Sequence, residues 1–196
     1  MRIVAGRHKG RVLLAPVGRN TRPTADRARE ALFNILAHDE PPLEGASVLD
    51  AFAGSGALGF EALSRGAERV TFLETDGSAF SVICANAKKM GVEKQVSIQR
   101  IDATRPPKAA RPCRFVLMDP PYKSGLAAPA LQALNAQGWI APDAMIVVEV
   151  AAGEAFAPPI DGLVIVDERK YGAARLVFLR FALCLEDSSA PAPVDR

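Results

Sequence analysis

The chain has 196 residues, of which 49% are hydrophobic and 23% charged, and this balance excludes an intrinsically disordered protein. The length fits one domain with a substantial core. No apolar run approaches the length of a membrane span, and the start Met1-Arg2-Ile3-Val4 does not resemble a signal peptide. We therefore expect a soluble globular protein.

Cysteine and histidine usage points to a reducing compartment and away from metal chemistry. Cys84, Cys113 and Cys184 are odd in number, scattered, and lack the spacing of metal ligands. They are typical of reduced, buried thiols in a cytoplasmic protein. Because His8 and His38 are the only histidines, we expect no catalytic zinc site.

The net charge of +2 conceals an uneven distribution. Residues 1–30 contain eight Lys and Arg against two acidic residues, a net +6, whereas the rest of the chain contains sixteen against twenty, a net −4. Clustered basic charge neutralises phosphates and releases their counterions, which favours nucleic acid as a partner. A solvated basic face without a partner is the alternative.

The first forty residues predict a small extension. Two short strands at residues 3–5 and 12–14 form a predicted hairpin. A helix is predicted from an N-cap at Thr24 to about Ala37. For Arg27 and Arg29 on this helix, surface ion pairs with Asp26 and Glu30, which would stabilise little, are the alternative to a functional role.

From residue 47 the chain alternates strands and helices, which predicts a mostly parallel α/β sheet with helices on both faces. The last two strands form a predicted hairpin around Tyr171-Gly172, closing one edge of the sheet. The tail from Glu186 is rich in Ser, Ala and Pro and is predicted to be disordered. We divide the chain into an extension at 1–40, a main domain at 41–185 and a tail at 186–196. Strands are predicted at 47–52, 70–74, 96–101, 114–119, 144–150, 163–167 and 176–183, and helices at 57–65, 78–90 and 125–137.

A glycine-rich turn follows the predicted strand that ends near Asp50. Gly54, Gly56 and Gly59 match the pattern G-x-G-x-x-G, and Glu74 lies twenty residues after Gly54, at the end of the next strand. Such a turn lets a ligand approach the backbone closely, and the acid suits a ribose diol. The pattern alone fits a nicotinamide or flavin cofactor equally well. The carboxylate of Asp50, ahead of the glycines, favours a cationic cofactor over a pyrophosphate.

A second motif, Asp119-Pro120-Pro121-Tyr122, follows the apolar run Phe115-Val116-Leu117-Met118. Neither proline nitrogen can donate a hydrogen bond, so the turn offers carbonyl oxygens and a carboxylate, all acceptors. Tyr122 adds a flat face on which a base can stack. The loop can therefore hold the two N–H donors of an exocyclic amine on adenine, cytosine or guanine. A proline-rich turn after a buried strand is the alternative, and the glycine turn upstream favours the functional interpretation.

In this order, the two motifs resemble those of S-adenosylmethionine-dependent methyltransferases that act on an exocyclic amine. A further segment, Arg22-Pro23-Thr24-Ala25-Asp26-Arg27-Ala28-Arg29-Glu30-Ala31-Leu32-Phe33-Asn34-Ile35-Leu36, narrows the resemblance. With Gly6-Arg7-His8-Lys9-Gly10-Arg11 before it and residues 50–63 after it, the chain resembles the bacterial RsmD family from residue 1 to about residue 182. Members of that family methylate N2 of one guanine in 16S ribosomal RNA. The resemblance implies a Rossmann-like class I fold with seven strands, the last of them antiparallel.

The resemblance also implies site residues, a cofactor and partners. Asp119, Pro120, Pro121 and Tyr122 would be catalytic, with Asp119 either accepting the amine proton or only positioning the amine. The substrate would be 16S rRNA, within a small-subunit assembly particle, and the protein a monomer that binds no membrane and no metal. Candidate residues for S-adenosylmethionine are Arg22, Thr24, Asp50, Phe52, Ala53, Gly54, Ser55, Gly56, Glu74, Thr75, Asp102 and Ala103, and candidate RNA contacts are Arg7, Lys9, Arg11 and Arg27.

Three alternatives stay open at this point. Methylation of adenine N6 in RNA or DNA is possible because the tetrapeptide serves either base, although the chain leaves no obvious room for a separate sequence-reading domain. A nicotinamide oxidoreductase would explain the glycine turn but not residues 119–122. A non-catalytic RNA-binding protein would use only the basic N-terminal segment.

Overall fold

The computed structural model describes residues 1–16, 23–38 and 42–182, with the backbone alone at 23–26. The predicted tail, like Arg22, lies outside the described residues. Among the described residues, no helix combines the length and apolar character needed to cross a bilayer. The elements are α1 (Pro23–Leu36), β1 (Ser47–Ala51), α2 (Ala57–Ser64), β2 (Arg69–Leu73), α3 (Gly77–Met90), a 3-10 turn (Glu93–Gln95), β3 (Val96–Gln99), β4 (Cys113–Met118), α4 (Ala127–Ala136), β5 (Ile140–Ala151), β6 (Leu163–Tyr171) and β7 (Ala174–Phe181).

The seven strands form one sheet in the order β3-β2-β1-β4-β5-β7-β6, which confirms the predicted fold class. The five strands β1 to β5 pair in parallel, and β7 runs antiparallel to both β5 and β6. The predicted hairpin turn is also confirmed, because Tyr171 ends β6 and Gly172 adopts a φ of 60°. Parallel order brings the carboxyl ends of β1, β2, β4 and β5 to one edge.

Side chains alternate between the two faces of the sheet. Along β4, Phe115 and Leu117 pack in a core with α1, α2 and α3, whereas Val116 and Met118 pack in a second core with α4. Both faces of the central strands are therefore buried, as is typical of a parallel sheet. Among the described helices, α4 alone contributes to the second core.

Several strand boundaries differ from prediction, the largest at the end of β6, which runs to Tyr171 and not to Asp167, and at the start of β5. Strand β5 begins at Ile140, four residues early, because Ile140 pairs with Cys113 across an irregularity in the ladder between β4 and β5. Strand β3 ends at Gln99, two residues early, because its carbonyl accepts the N–H of Ile101 in a turn. Strand β6 also has a register shift between Ile165 and Asp167.

The N-terminal segment doubles back as predicted, but it does not form the two predicted strands. Its pairing is a single antiparallel bridge between Arg2 and Val12. The carboxylate of Glu61 on α2 instead accepts the backbone N–H groups of Val4 (2.8 Å) and Ala5 (3.0 Å). These bonds fasten the segment to α2 and engage amides that a β-ladder would otherwise use.

The start of α1 and the position of Arg29 also differ from prediction. The helix begins at Pro23, so Thr24 lies inside its first turn and not at the N-cap. Proline suits the first helical position because its missing N–H has no partner there. Arg29 does not lie at the surface as predicted, since it is only 6% exposed and its Nε lies 4.0 Å from Oε2 of Glu61. Burial of Glu61 near α1 draws this arginine inward.

Gly6 allows the N-terminal segment to dock on the end of α2. The N–H of the next residue, Arg7, donates to the carbonyl of Ser64 at 2.8 Å. Gly6 has a φ of 78°, and a methyl group on its Cα would overlap that same carbonyl. The close approach therefore requires glycine at this position.

Replacing Gly6 by Ala should lower the free energy of unfolding more than replacing Gly10 by Ala. Both glycines have positive φ, at 78° and 83°, so both alanines incur left-handed strain of about 1–2 kcal/mol. Only the Gly6 variant adds overlap with Ser64, because no atom lies within 4 Å of a Cβ at Gly10. Urea unfolding of the two variants measures the difference, and equal losses would contradict the docking geometry.

Candidate active site

A cavity of about 720 Å³ opens at the carboxyl ends of β1, β2, β4 and β5. In open α/β sheets, ligands bind at this edge. The volume lies within the range of pockets that enclose a small organic ligand. Its lining includes Asp50, Phe52, Ala53, Gly54, Ser55, Glu74, Thr75, Asp102, Ala103, Asp119, Pro120, Pro121, Tyr122 and Glu149.

Glu74 holds the glycine turn in place. One carboxylate oxygen accepts the N–H of Gly54 at 2.7 Å, and the other accepts the N–H of Asp76 at 2.8 Å. Glu74 is only 8% exposed, so it is not the solvated acid of a surface loop. It ties the turn after β1 to the turn after β2, and each of its oxygens can still accept from a ligand.

The glycines of the turn have different roles. Gly54 lines the cavity and adopts a φ of 58°, which favours glycine. Gly56 and Gly59 do not line the cavity. A side chain at Gly56 would meet the ring of Phe60, and one at Gly59 would meet the ring of Phe72. Two of the three glycines therefore let α2 pack closely on β2, as in dinucleotide-binding turns.

Asp50 is a buried carboxylate at the end of β1. It is 1% exposed, and its Oδ2 accepts the N–H of Gly59 at 2.8 Å. Burial raises the pKa of Asp50 well above its usual value, the Gly59 bond opposes this rise, and the charges of Asp119 and Glu74 add to it. A ligand with a positive charge near Asp50 would favour its ionised form. Asp50 therefore suits a cationic ligand.

Phe52 and Asp102 also line the cavity. Phe52 follows β1 with a φ of 63°, an unusual conformation for a bulky side chain. Oδ1 of Asp102 accepts the N–H and the hydroxyl of Thr104, at 2.9 and 2.7 Å. These two bonds, with a smaller contribution from Arg105, lower the pKa of Asp102. Ala103 is buried beside it, so this wall combines a stable carboxylate with an apolar surface.

The Asp119-Pro120-Pro121-Tyr122 loop, which follows β4, lines the same cavity as the glycine turn after the adjacent strand β1. Tyr122 is 45% exposed, and its hydroxyl donates to Oε1 of Glu149 at 2.6 Å. The following residue, Lys123, has a φ of 57°, and its N–H donates to Glu154. The loop thus presents acceptors and an accessible ring to the cavity, with its end fastened to residues after β5.

Glu149 is a cavity residue that sequence reasoning missed. It lies on β5 and lines the cavity beside Tyr122. Burial raises the pKa of Glu149, and the hydrogen bond from Tyr122 opposes that rise. The sequence did hold a signal, because Glu149 is the one acid within the apolar run Ile146-Val147-Val148-Glu149-Val150. A lone acid in a buried strand needs a partner.

The other predicted site residues lie away from the cavity or outside the described residues. The structure describes neither Arg22 nor the side chain of Thr24. Arg7 donates to Gln95, and Arg11 donates to the carbonyls of Lys89 and Met90 at the end of α3. Lys9 and Arg27 are exposed on the N-terminal segment and α1, and neither lines the cavity, whereas the unpredicted Arg29 does.

The sheet order and the site together define a class I methyltransferase. The cavity is bordered by a glycine turn after β1, an acid at the end of β2 and an acceptor loop after β4. Its buried acids fit a cofactor that carries a positive charge and a nucleoside. The same fold occurs in a SAM-dependent methyltransferase from Aquifex aeolicus, with a TM-score of 0.60 and 15% identity over 78% of this chain and 89% of that one.

Comparison with known proteins identifies the family. Residues 1–180 match the family model described as Conserved hypothetical protein 95. The chain is 39% identical to Ribosomal RNA small subunit methyltransferase D of Escherichia coli K12, covering 76% of this chain and 74% of that protein. The corresponding Haemophilus influenzae protein is 36% identical, covering 81% and 83%. The solved structure of E. coli yhhF superposes with a TM-score of 0.79 and 33% identity over 92% and 97% of the two chains. The chain therefore belongs to the RsmD family of methyltransferases.

Replacing Asp50 by Asn should stabilise the cofactor-free protein and weaken cofactor binding. The pKa of Asp50 is higher in the folded protein than its usual value of 3.8. The free energy of unfolding therefore falls as the pH rises from about 3.8 to the pKa in the folded protein, and it stays lowered at neutral pH. Asparagine removes the charge and can still accept the N–H of Gly59. We expect a higher melting temperature near pH 7, together with a loss of about tenfold or more in affinity for S-adenosylmethionine by calorimetry.

Asp161→Asn, at an exposed position outside the cavity lining, serves as the matched control and should change neither quantity. Undiminished cofactor affinity in the Asp50 variant would show that this carboxylate does not contact the cation.

Proposed function

We propose that this protein transfers a methyl group from S-adenosylmethionine to the exocyclic N2 amine of one guanine in 16S ribosomal RNA. The observation that carries the proposal is that the Asp119-Pro120-Pro121-Tyr122 loop and the glycine turn line one cavity. The E. coli and H. influenzae relatives, named Ribosomal RNA small subunit methyltransferase D, support ribosomal RNA as the substrate.

The residues around the glycine turn are proposed to hold the cofactor, which supplies a methyl group activated by a positively charged sulfur. Asp50 and the turn at residues 52–55 would surround the methionine end, and Gly56 would act indirectly by letting α2 pack beside the turn. Glu74 keeps acceptor capacity for the ribose hydroxyls, and Asp102 with Ala103 would contact the adenine. Arg22 and Thr24 are proposed to contact the cofactor carboxylate, and Thr75 lies beside Glu74 on the cavity wall.

The proline loop is proposed to prepare the amine for attack. The N2 lone pair of guanine is delocalised into the ring and is a poor nucleophile. N–H groups donating to the Asp119 carboxylate and to a carbonyl of the loop would favour a pyramidal nitrogen whose lone pair points at the methyl carbon. As the new N–C bond forms, the C–S bond breaks with its electrons moving to sulfur, and the amine proton leaves to Asp119 or to water. Positioning and electrostatics supply most of the acceleration.

The RNA is proposed to reach this site with the target guanine extruded and stacked on Tyr122. Arg7, Lys9, Arg11 and Arg27 would contact phosphates, joined by the exposed Lys88 and Lys89, which lie beside Arg11 at the end of α3. We further propose that the substrate is an assembling small subunit and that the protein acts as a cytoplasmic monomer.

Replacing Asp119 by Ala should abolish methyl transfer while leaving cofactor binding nearly intact, because the change removes the amine acceptor and spares the glycine turn. Small subunits from cells that lack the protein supply the substrate, and labelled cofactor reports transfer. Asp161→Ala, at an exposed position, should retain full activity. Full activity of the Asp119 variant would refute the assignment.

Mass analysis of the nucleosides from the same reactions identifies the base. N2-methylguanine is expected, and N6-methyladenine would replace the guanine proposal with its adenine alternative.

Replacing Lys9 by Ala should weaken RNA binding without changing catalysis on bound RNA. Its side chain is exposed on the basic segment, so the expected effect is a lower affinity and a slope of log affinity against log salt reduced by about one. Filter binding across a salt series measures both. Lys170→Ala, an exposed change on β6, is the control, and equal slopes for the two variants would remove Lys9 from the RNA contacts.

A further inference from the structure

Glu149 lies next to Asp119 in the sheet, yet the transfer chemistry described above does not use it. Met118 pairs with Val148 in the parallel ladder between β4 and β5. Asp119 is the first residue after β4 and Glu149 is the next residue on β5, so they follow the last paired positions of two adjacent strands, which lie roughly 4.8 Å apart. Both line the cavity. Two carboxylates are therefore placed side by side where the target base would enter.

The side chain of Glu149 is directed into the cavity by the pleat of β5. Val148 and Val150 belong to the core on the α4 side, so the residue between them faces the opposite side. That side holds α1 and the cavity wall formed by Leu176, the ladder partner of Glu149. The orientation places a carboxylate beside the exposed ring of Tyr122.

Tyr122 satisfies only part of the hydrogen-bonding capacity of Glu149. The hydroxyl donates to Oε1, whereas an ionised carboxylate offers about four acceptor sites. Burial makes an incompletely paired charge costly, which agrees with the direction of the pKa shift of Glu149. A ligand that brings another N–H donor to this position would stabilise the carboxylate.

We propose that Glu149 determines base specificity by accepting a hydrogen bond from N1–H of the target guanine while Asp119 holds its N2 amine. This inference rests on the proposed function. On the Watson–Crick edge of guanine, the N1–H and N2–H donors are neighbours, and two neighbouring carboxylates match them. Adenine carries an acceptor at N1, which would face the Glu149 carboxylate and leave both groups unpaired. The pair of acids thus accepts guanine and disfavours adenine.

The experiment compares guanine with 2,6-diaminopurine at the methylated position, once that position has been mapped. The analogue keeps the amine at carbon 2 but has an acceptor at N1. We expect the wild-type protein to prefer guanine in kcat/KM by about 10- to 100-fold, the effect of one hydrogen bond to a charged group.

The variant Glu149→Gln should lose or invert this preference. Glutamine can still accept from Tyr122 through its oxygen, and its NH2 group can donate to N1 of the analogue. Tyr122→Phe should keep the wild-type preference, because Glu149 is intact. Glu93→Gln, an exposed change outside the cavity lining, is the matched control and should keep both preference and rate.

If Glu149→Gln unfolds normally, binds the cofactor normally and still prefers guanine, the role of Glu149 in base specificity is overturned. The proposed function would not be affected by that result. A loss of preference in Tyr122→Phe as large as in Glu149→Gln would also overturn that role, since Glu149 would then act only through the tyrosine. Failure of the wild-type protein to form N2-methylguanine at all would overturn the proposed function, and this inference with it.

Discussion

The grouping of four carboxylates near the carboxyl ends of four parallel strands is the main physical constraint on this structure. Asp50, Glu74, Asp119 and Glu149 all line one cavity because parallel register brings the carboxyl ends of β1, β2, β4 and β5 together. Backbone amides hold Asp50 and Glu74, and a tyrosine hydroxyl holds Glu149. Burial makes the charge of Asp50 costly and raises its pKa, and the neighbouring charges of Asp119 and Glu74 add to that rise. The cavity is therefore suited to a ligand that brings positive charge and N–H donors.

The N-terminal extension packs into the same hydrophobic core as the sheet. Ile3 and Leu13 lie in the same core as α2 and the sheet. Asn86 on α3 accepts the N–H of Leu14 and donates to the carbonyls of both Leu14 and Ser55. A single buried amide thus joins the basic segment to the glycine turn. The division of the chain at residue 40 stays a prediction, and the shared core shows that the two parts pack as one body.

The sequence predicted those features whose signal is local. Alternating strands and helices predicted the sheet, and the two loop motifs predicted which strand ends border the cavity. It did not predict the docking of residues 4 and 5 on Glu61 or the burial of Arg29, because these depend on partners far apart in the chain. Glu149 was missed for the same reason. Its role as a cavity residue depends on strand pairing, whereas the local pattern shows only an acid in an apolar strand.

The two outer strands of the sheet have a consequence for behaviour in solution. Strand β3 is only four residues long, and β6 combines a register shift after Ile165 with the charged run Asp167-Glu168-Arg169-Lys170. Edge strands that are short, irregular or charged are poor templates for strand addition by another copy of the chain. These two strands therefore protect the protein against aggregation through its own β-structure.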